Sequence, residues 1–132
     1  MISFYYLLLL HFIGDFLMQD RHTAENKSKS FSVMHEHCFD VLLIYLVGLF
    51  LIGKNIHNID GFLIFIYCTH FLQDTLIWRG YKYFISKTSE YKTAIFYKKE
   101  YRYWEKSHFY HAIGFDQMLH IATLYLLWKV LL

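Results

Sequence analysis

The chain has no proline, only two cysteines and a formal net charge of just +2 at pH 7. Each shortage removes a class of protein. Cys38 and Cys68 both lie inside apolar runs, so a disulfide-stapled scaffold is excluded and the thiols read as packing residues. The small net charge signals nothing globally and leaves the distribution of charge as the informative quantity. What the chain does have is apolar surface. Of its 132 residues 56% are hydrophobic and 21% aromatic, with 13 Phe and 12 Tyr, which excludes intrinsic disorder and predicts one domain at most. The apolar residues gather in runs too continuous for the core of so small a soluble domain, and this points to a membrane.

Four segments, about 2–19, 37–53, 60–78 and 113–132, each approach the ~20 residues that cross a bilayer. Buried helices of a soluble bundle would show a polar face, whereas residues 41–52 offer only Tyr45 and Gly48 as relief. The first segment has no basic residue ahead of it and no small-residue cleavage site behind it, so it is expected to stay in the mature protein. Four segments cannot close a barrel, and lipid leaves no partner for unpaired backbone groups. The expected fold is therefore all-α: an integral membrane four-helix bundle.

The basic residues orient it. Arg21, Lys27 and Lys29 fall in the first connection and Arg79, Lys82, Lys87, Lys92, Lys98, Lys99, Arg102 and Lys106 in the third, leaving only Lys54 and Lys129 for the opposite side. The positive-inside rule then puts both basic connections in the cytoplasm and both termini outside a prokaryotic inner or plasma membrane. The third connection, about 80–112, mixes Tyr, Phe and Trp with Lys, and from Tyr81 to Tyr110 it has no Pro and only good to moderate helix formers. It reads as an interfacial amphipathic helix or helical hairpin against anionic lipid headgroups. Such a mixture also stacks on nucleic acid, but two flanking spans favour the lipid bilayer as partner. A homodimer is a further expectation, since four helices are few to enclose a site, although no small-xxx-small motif marks an interface.

Ionisable residues inside spans are costly and mark function. His11 and Asp15, His70 and Asp74, and Asp116 and His120 are each four residues apart, one helix turn, on one face. The charge-derived topology brings all three pairs, with His37 at the start of the second span, to one level near the cytoplasmic ends. His37 shares a face with Asp40, and His35 is the competing candidate. Residues 11–18 also echo residues 70–77, matching His, Phe, an aliphatic, Asp and Leu in register, which points to two helical hairpins related as a parallel repeat.

Seven donors, His11, Asp15, His37, His70, Asp74, Asp116 and His120, form the kind of set that holds divalent metals between helices. Their mixed nitrogen and oxygen character favours zinc, with manganese or iron as alternatives, in a mononuclear or dinuclear centre. Asp15, Asp74 and Asp116 are the candidate catalytic carboxylates. Gln19, Gln73 and Gln117 lie beside the pairs to orient ligands or substrate, and Arg79 and Arg21 follow them to neutralise a phosphate. A buried His–Asp pair can also merely join helices, but polar contacts between membrane helices stabilise by only about 0.6 kcal/mol on average, a poor return for burying so many. The expected activity is metal-dependent hydrolysis of a phosphoester or ester, with lipid-linked substrates included. The alternatives are a non-enzymatic metal-binding membrane effector of the phage type, and ion transfer, which the apolar outer halves of the spans disfavour.

The order His11-x-x-Gly14-Asp15-Phe16-x-x-Gln19, Ala24-x-x-Lys27, a His opening the second span, His70-x-x-x-Asp74 and Phe115-Asp116-Gln117-x-x-His120 resembles the small prokaryotic and phage membrane proteins of domain-of-unknown-function family 3307 over essentially the whole chain. The resemblance implies four spans and no established role. A more distant similarity is to inner-membrane proteins regarded as metal-dependent hydrolases, which also carry His and Asp at helix ends.

Overall fold

A computed structural model describes residues 2–55, 57 and 59–132. Every regular element among the described residues is helical. Helix α1 (Phe4–Phe12) runs straight into a π-helical turn (Ile13–Leu17), closed by the Met18 N–H donating to the Ile13 carbonyl at 2.9 Å. A short α2 (Arg21–Asn26) precedes α3 (Phe31–Leu51), and α4 (Asp60–Ser86), α5 (Ser89–Phe96) and α6 (Ser107–Leu131) complete the order. The short helix starts are set by local chemistry: Asp20 accepts from the Thr23 N–H at 2.7 Å and Thr88 from the Tyr91 N–H at 3.3 Å.

The packing closes a ring. Helix α1 touches α3 and α6, and α4 touches α3 and α6, so the chain forms two hairpins, α1 with α3 and α4 with α6. Each has a short helix in its connection, α2 in the first and α5 in the second. Helices α3 and α4 are long and apolar enough to cross a membrane, while the first apolar stretch, Phe4–Leu17, is shorter. The tight connection expected over 54–60 lies partly outside the described residues.

Helices overrun the segments expected from hydropathy. The helix α4 continues eight residues past Trp78, α3 begins six before His37, and α6 begins six before Ile113. Hydropathy marks where a helix is apolar, not where its hydrogen bonding stops, and no proline intervenes. The 80–112 segment is accordingly the end of α4, then α5, a 3-10 turn (Tyr103–Glu105) and the start of α6. Helix α5 is terminated just past Phe96 by Lys98, whose φ of 53° puts it in the left-handed region while the Lys99 N–H reaches back to the Ala94 carbonyl. The same motif ends α3 at Gly53, φ 77°.

The interior has two halves. Leu7, Leu10, Val41, Tyr45, Leu49, Phe62, Ile66 and Leu124 form an apolar core in one. Hydrogen bonds tie it: the Tyr45 hydroxyl donates to the Leu7 carbonyl at 3.3 Å, the Tyr6 hydroxyl to the Gly48 carbonyl at 2.7 Å, and the Trp128 indole to the Ile2 carbonyl at 2.8 Å. The other half is polar and holds the candidate site. Helices α1 and α3 meet closely at Gly48, where a Cβ would stand 2.4 Å from Leu10 Cδ2. Gly48→Ala is therefore expected to lower unfolding stability by about 1–3 kcal/mol, because Leu10 must leave its rotamer in a packed interface; thermal unfolding in detergent checks this.

Candidate metal centre

Helices α1, α3, α4 and α6 each contribute to one buried cluster. Asp15, in the π turn, and His37, His70 and Asp74 bring one ligand atom apiece within 4.8 Å of one another, and so do Asp74, Asp116 and His120. His37 Nε2 lies 3.1 Å from Asp15 Oδ1, 3.1 Å from His70 Nε2 and 3.4 Å from Asp74 Oδ2, and His70 Nε2 is 3.6 Å from Asp15 Oδ1. A tetrahedral ion with bonds of ~2.0–2.1 Å has ligand atoms about 3.3 Å apart. The distances here, 3.1 to 3.9 Å, bracket that spacing, so a buried group that could hold a metal ion is present.

Asp74 belongs to both groups through different oxygens. Its Oδ2 faces His37 and His70, while its Oδ1 is 3.4 Å from His120 Nε2. The second group is short of partners: Asp74 Oδ1, Asp116 Oδ1 and His120 Nε2 are all buried without a hydrogen bond. His120 Nδ1 is engaged by the Asp116 carbonyl at 2.9 Å, which makes Nδ1 the donor and leaves the Nε2 lone pair directed inward.

The remaining residues sort by position. His11 is buried but outside both groups; its Nε2 is 3.3 Å from Gln117 Oε1 and 3.8 Å from Asp15 Oδ2. Gln117 bridges, its Nε2 donating to Asp15 Oδ2 at 2.7 Å. Gln73 turns away to donate to Thr123 Oγ1 at 2.6 Å. Arg79 lies over the Phe31 ring at 3.9 Å, and exposed Arg21 pairs with Glu25 at 2.6 Å. His35 is exposed against Tyr67 at 2.6 Å, and Asp40 is exposed, so of the polar residues opening α3 only His37 reaches the cluster.

One central residue was not among the sequence candidates. Lys27, 5% exposed, extends its ammonium to Asp74 Oδ2 at 2.7 Å and to within 3.4 Å of His37 Nε2. Burial disfavours its charge, but the attraction of Asp74 and Asp15 outweighs that and holds its pKa above the ordinary lysine value. The Ala24-x-x-Lys27 motif was the available signal, and counting Lys27 as a loop charge obscured it.

A cavity of about 560 Å³ opens beside the cluster, and Asp15, Asp116, Gln117, Lys27, Gln19, Arg21, Trp78 and Lys82 are in its lining. The protein so defined is an all-helical one whose titratable side chains converge inside it. The chain belongs to the family described as "Protein of unknown function (DUF3307)", whose model matches residues 3–132. No curated protein and no solved structure matches it, so the more distant similarity to metal-dependent hydrolases gains no support from these comparisons.

Because Asp74 and Lys27 satisfy one another, Asp74→Asn is expected to cost about 3–5 kcal/mol by stranding a buried ammonium, and Asp74→Asn with Lys27→Met distinctly less than the two single costs added. Denaturation of the four proteins of this cycle in detergent measures it.

Proposed function

We propose that the protein is a membrane-embedded, divalent-metal-dependent hydrolase acting on a phosphoester or ester, its centre near the cytoplasmic ends of the helices. The observation that carries this reading is the division of Asp74: one oxygen faces His37 and His70 and the other faces His120. With Asp15, His37, His70 and His120 it would hold a divalent ion or ions, whose contribution there would be to polarise a water and the substrate oxygens. The mixed donors suit zinc first, manganese or iron next. Asp15 and Asp116 border the cavity and Asp74 does not, so the first two are the carboxylates able to touch substrate or water. In phosphoester hydrolysis the water oxygen forms a bond to phosphorus, the ester P–O bond breaks, and the water's proton passes through one of these carboxylates to the departing alcohol.

The membrane half of the proposal rests on a surface turned inside out. Phe39, Leu43, Val47 and Phe50 on α3, Ile64, Phe65, Leu72 and Leu76 on α4, and Phe115, Met118, Ile121 and Leu126 on α6 are exposed, while Asp15, Lys27 and Asp74 are buried. Apolar surface this extensive requires a covering, and lipid supplies one on every side. With four spans, both termini lie outside and α2, α5 and the end of α4 lie at the cytoplasmic face, where their Lys and Arg satisfy the positive-inside rule. A cysteine introduced for Lys98 should then react with an impermeant thiol reagent in inverted vesicles and not in right-side-out ones; the opposite labelling overturns the orientation.

Metal content is the direct test. Detergent-purified protein is expected to bind zinc or manganese, Asp74→Asn to lose it, and His35→Ala to keep it. Lys27 competes for the same Asp74 oxygen, so Lys27→Met should tighten zinc binding on the order of tenfold or more. Metal-dependent ester turnover should disappear in Asp116→Asn. Folded protein that takes up no transition metal would falsify the reading.

A further inference from the structure

The cavity beside the cluster joins buried carboxylates to the basic, aromatic end of the molecule. Its lining includes Asp15 and Asp116 together with residues of α2, the far end of α4, the α5 region and the start of α6. At about 560 Å³ it falls within the range of small-molecule sites. Three of its wall residues carry buried polar atoms with no protein partner: the Tyr101 hydroxyl, the Trp78 indole N–H and Gln19 Oε1. Tyr101 is itself only 7% exposed. Unpaired buried polar atoms are costly, and two donors and an acceptor lining one chamber point to a polar ligand that completes them.

The charged residues that line the chamber away from the cluster choose the sign of that ligand. Arg21 is neutralised by Glu25, leaving Lys29, Lys82 and Lys99 against Glu100. Lys82 is half-buried and donates to Ser28 Oγ and, at 3.4 Å, to the Glu25 carbonyl, which leaves one of its three ammonium protons uncommitted. Burial, and then the neighbouring Lys29, bring its pKa down to about 8, so it carries its charge at neutral pH in a poorly solvated position. A neutral ester would find no use for these ammonium groups. The aromatic wall, Trp78, Tyr81, Tyr103 and Trp104 among it, suits an apolar or planar body.

We propose that the chamber binds a phosphate ester, its phosphate held by Lys82 and Tyr101 and turned toward Asp15 and Asp116, its organic body lying against the aromatic residues. This rests on the metal-centre reading, because an anion approaches two carboxylates only if cations stand between them.

Tryptophan fluorescence reads the chamber, since Trp78 and Trp104 both line it. The full chain in detergent, zinc-loaded or chelated, is titrated with phenyl phosphate, a short-chain phosphatidic acid, inorganic phosphate and neutral phenyl acetate. Saturable binding of a phosphate ester is expected, weakened about tenfold by Lys82→Gln and several-fold by Tyr101→Phe, unchanged by Lys87→Gln, with metal content and unfolding midpoint preserved. Preference for phosphatidic acid identifies a lipid headgroup as the source, and equal or better binding of phenyl phosphate a soluble ester. The proposal is overturned if zinc-loaded protein binds no phosphate ester, if phenyl acetate binds as well, or if the Lys82 and Tyr101 variants bind like wild type. Lys82-dependent binding equal in chelated and zinc-loaded protein would leave the chamber standing and remove the metal-centre reading instead.

Discussion

The contact between Lys27 and Asp74 determines how the rest of the interior is organised. It joins residues 47 apart in sequence at 2.7 Å, inside a cluster that also buries Asp15, His37, His70, Asp116 and His120. Ion pairs taken out of water seldom repay their desolvation, and apolar residues of similar volume usually stabilise as well or better. A chain that needed only a stable bundle would have no reason to place three carboxylates here. The ammonium supplies one compensating charge, Gln117 supplies a neutral donor to Asp15, and the imidazoles supply the rest. Three ligand-type atoms around Asp74 Oδ1 still lack partners, so the compensation is incomplete on the side facing His120.

The other half of the molecule makes such a cluster tolerable. Tyr45, Phe62, Leu7 and Leu49 are among its fully buried side chains, and the Trp128 indole joins the end of α6 to the start of the chain. Stability concentrated there lets the polar half carry buried charge. The π turn at Ile13–Leu17 places Asp15 in that half, and such turns are frequent at functional sites.

Reading the sequence reached the helical class and most of the cluster, because His and Asp at i, i+4 in apolar runs are too costly to bury singly and therefore converge. The family assignment was legible for the same reason, in the order of those motifs. Three things were not legible. The choice between His35 and His37 depends on which face of α3 turns inward, and Val41 to Ile52 is apolar all round. In the fold, Met34, Cys38, Val41 and Tyr45 define the buried face; His37 lies against Val41 on it, while Asp40 falls off its edge. Lys27 was invisible because topology already accounts for a lysine between spans, and only tertiary contact shows its ammonium reaching inward. A π turn leaves no mark in residue spacing at all.

That turn makes two similar motifs act differently. His11 with Asp15 and His70 with Asp74 share their spacing and nearly the same pair distance, 3.8 and 3.9 Å. In α4 the backbone is regular, and both side chains point into the cluster with Asp74 sealed from solvent. In the first hairpin the wider turn begins at Ile13, between the two members. The partners differ although the spacing does not: His11 faces Gln117, while Asp15 reaches His37 with one oxygen and lines the cavity. A repeat in sequence thereby becomes an asymmetric site, with Asp74 sealed between helices and Asp15, itself buried, bordering the chamber. Such asymmetry is what a centre needs if one carboxylate is to hold ions while the other meets whatever enters.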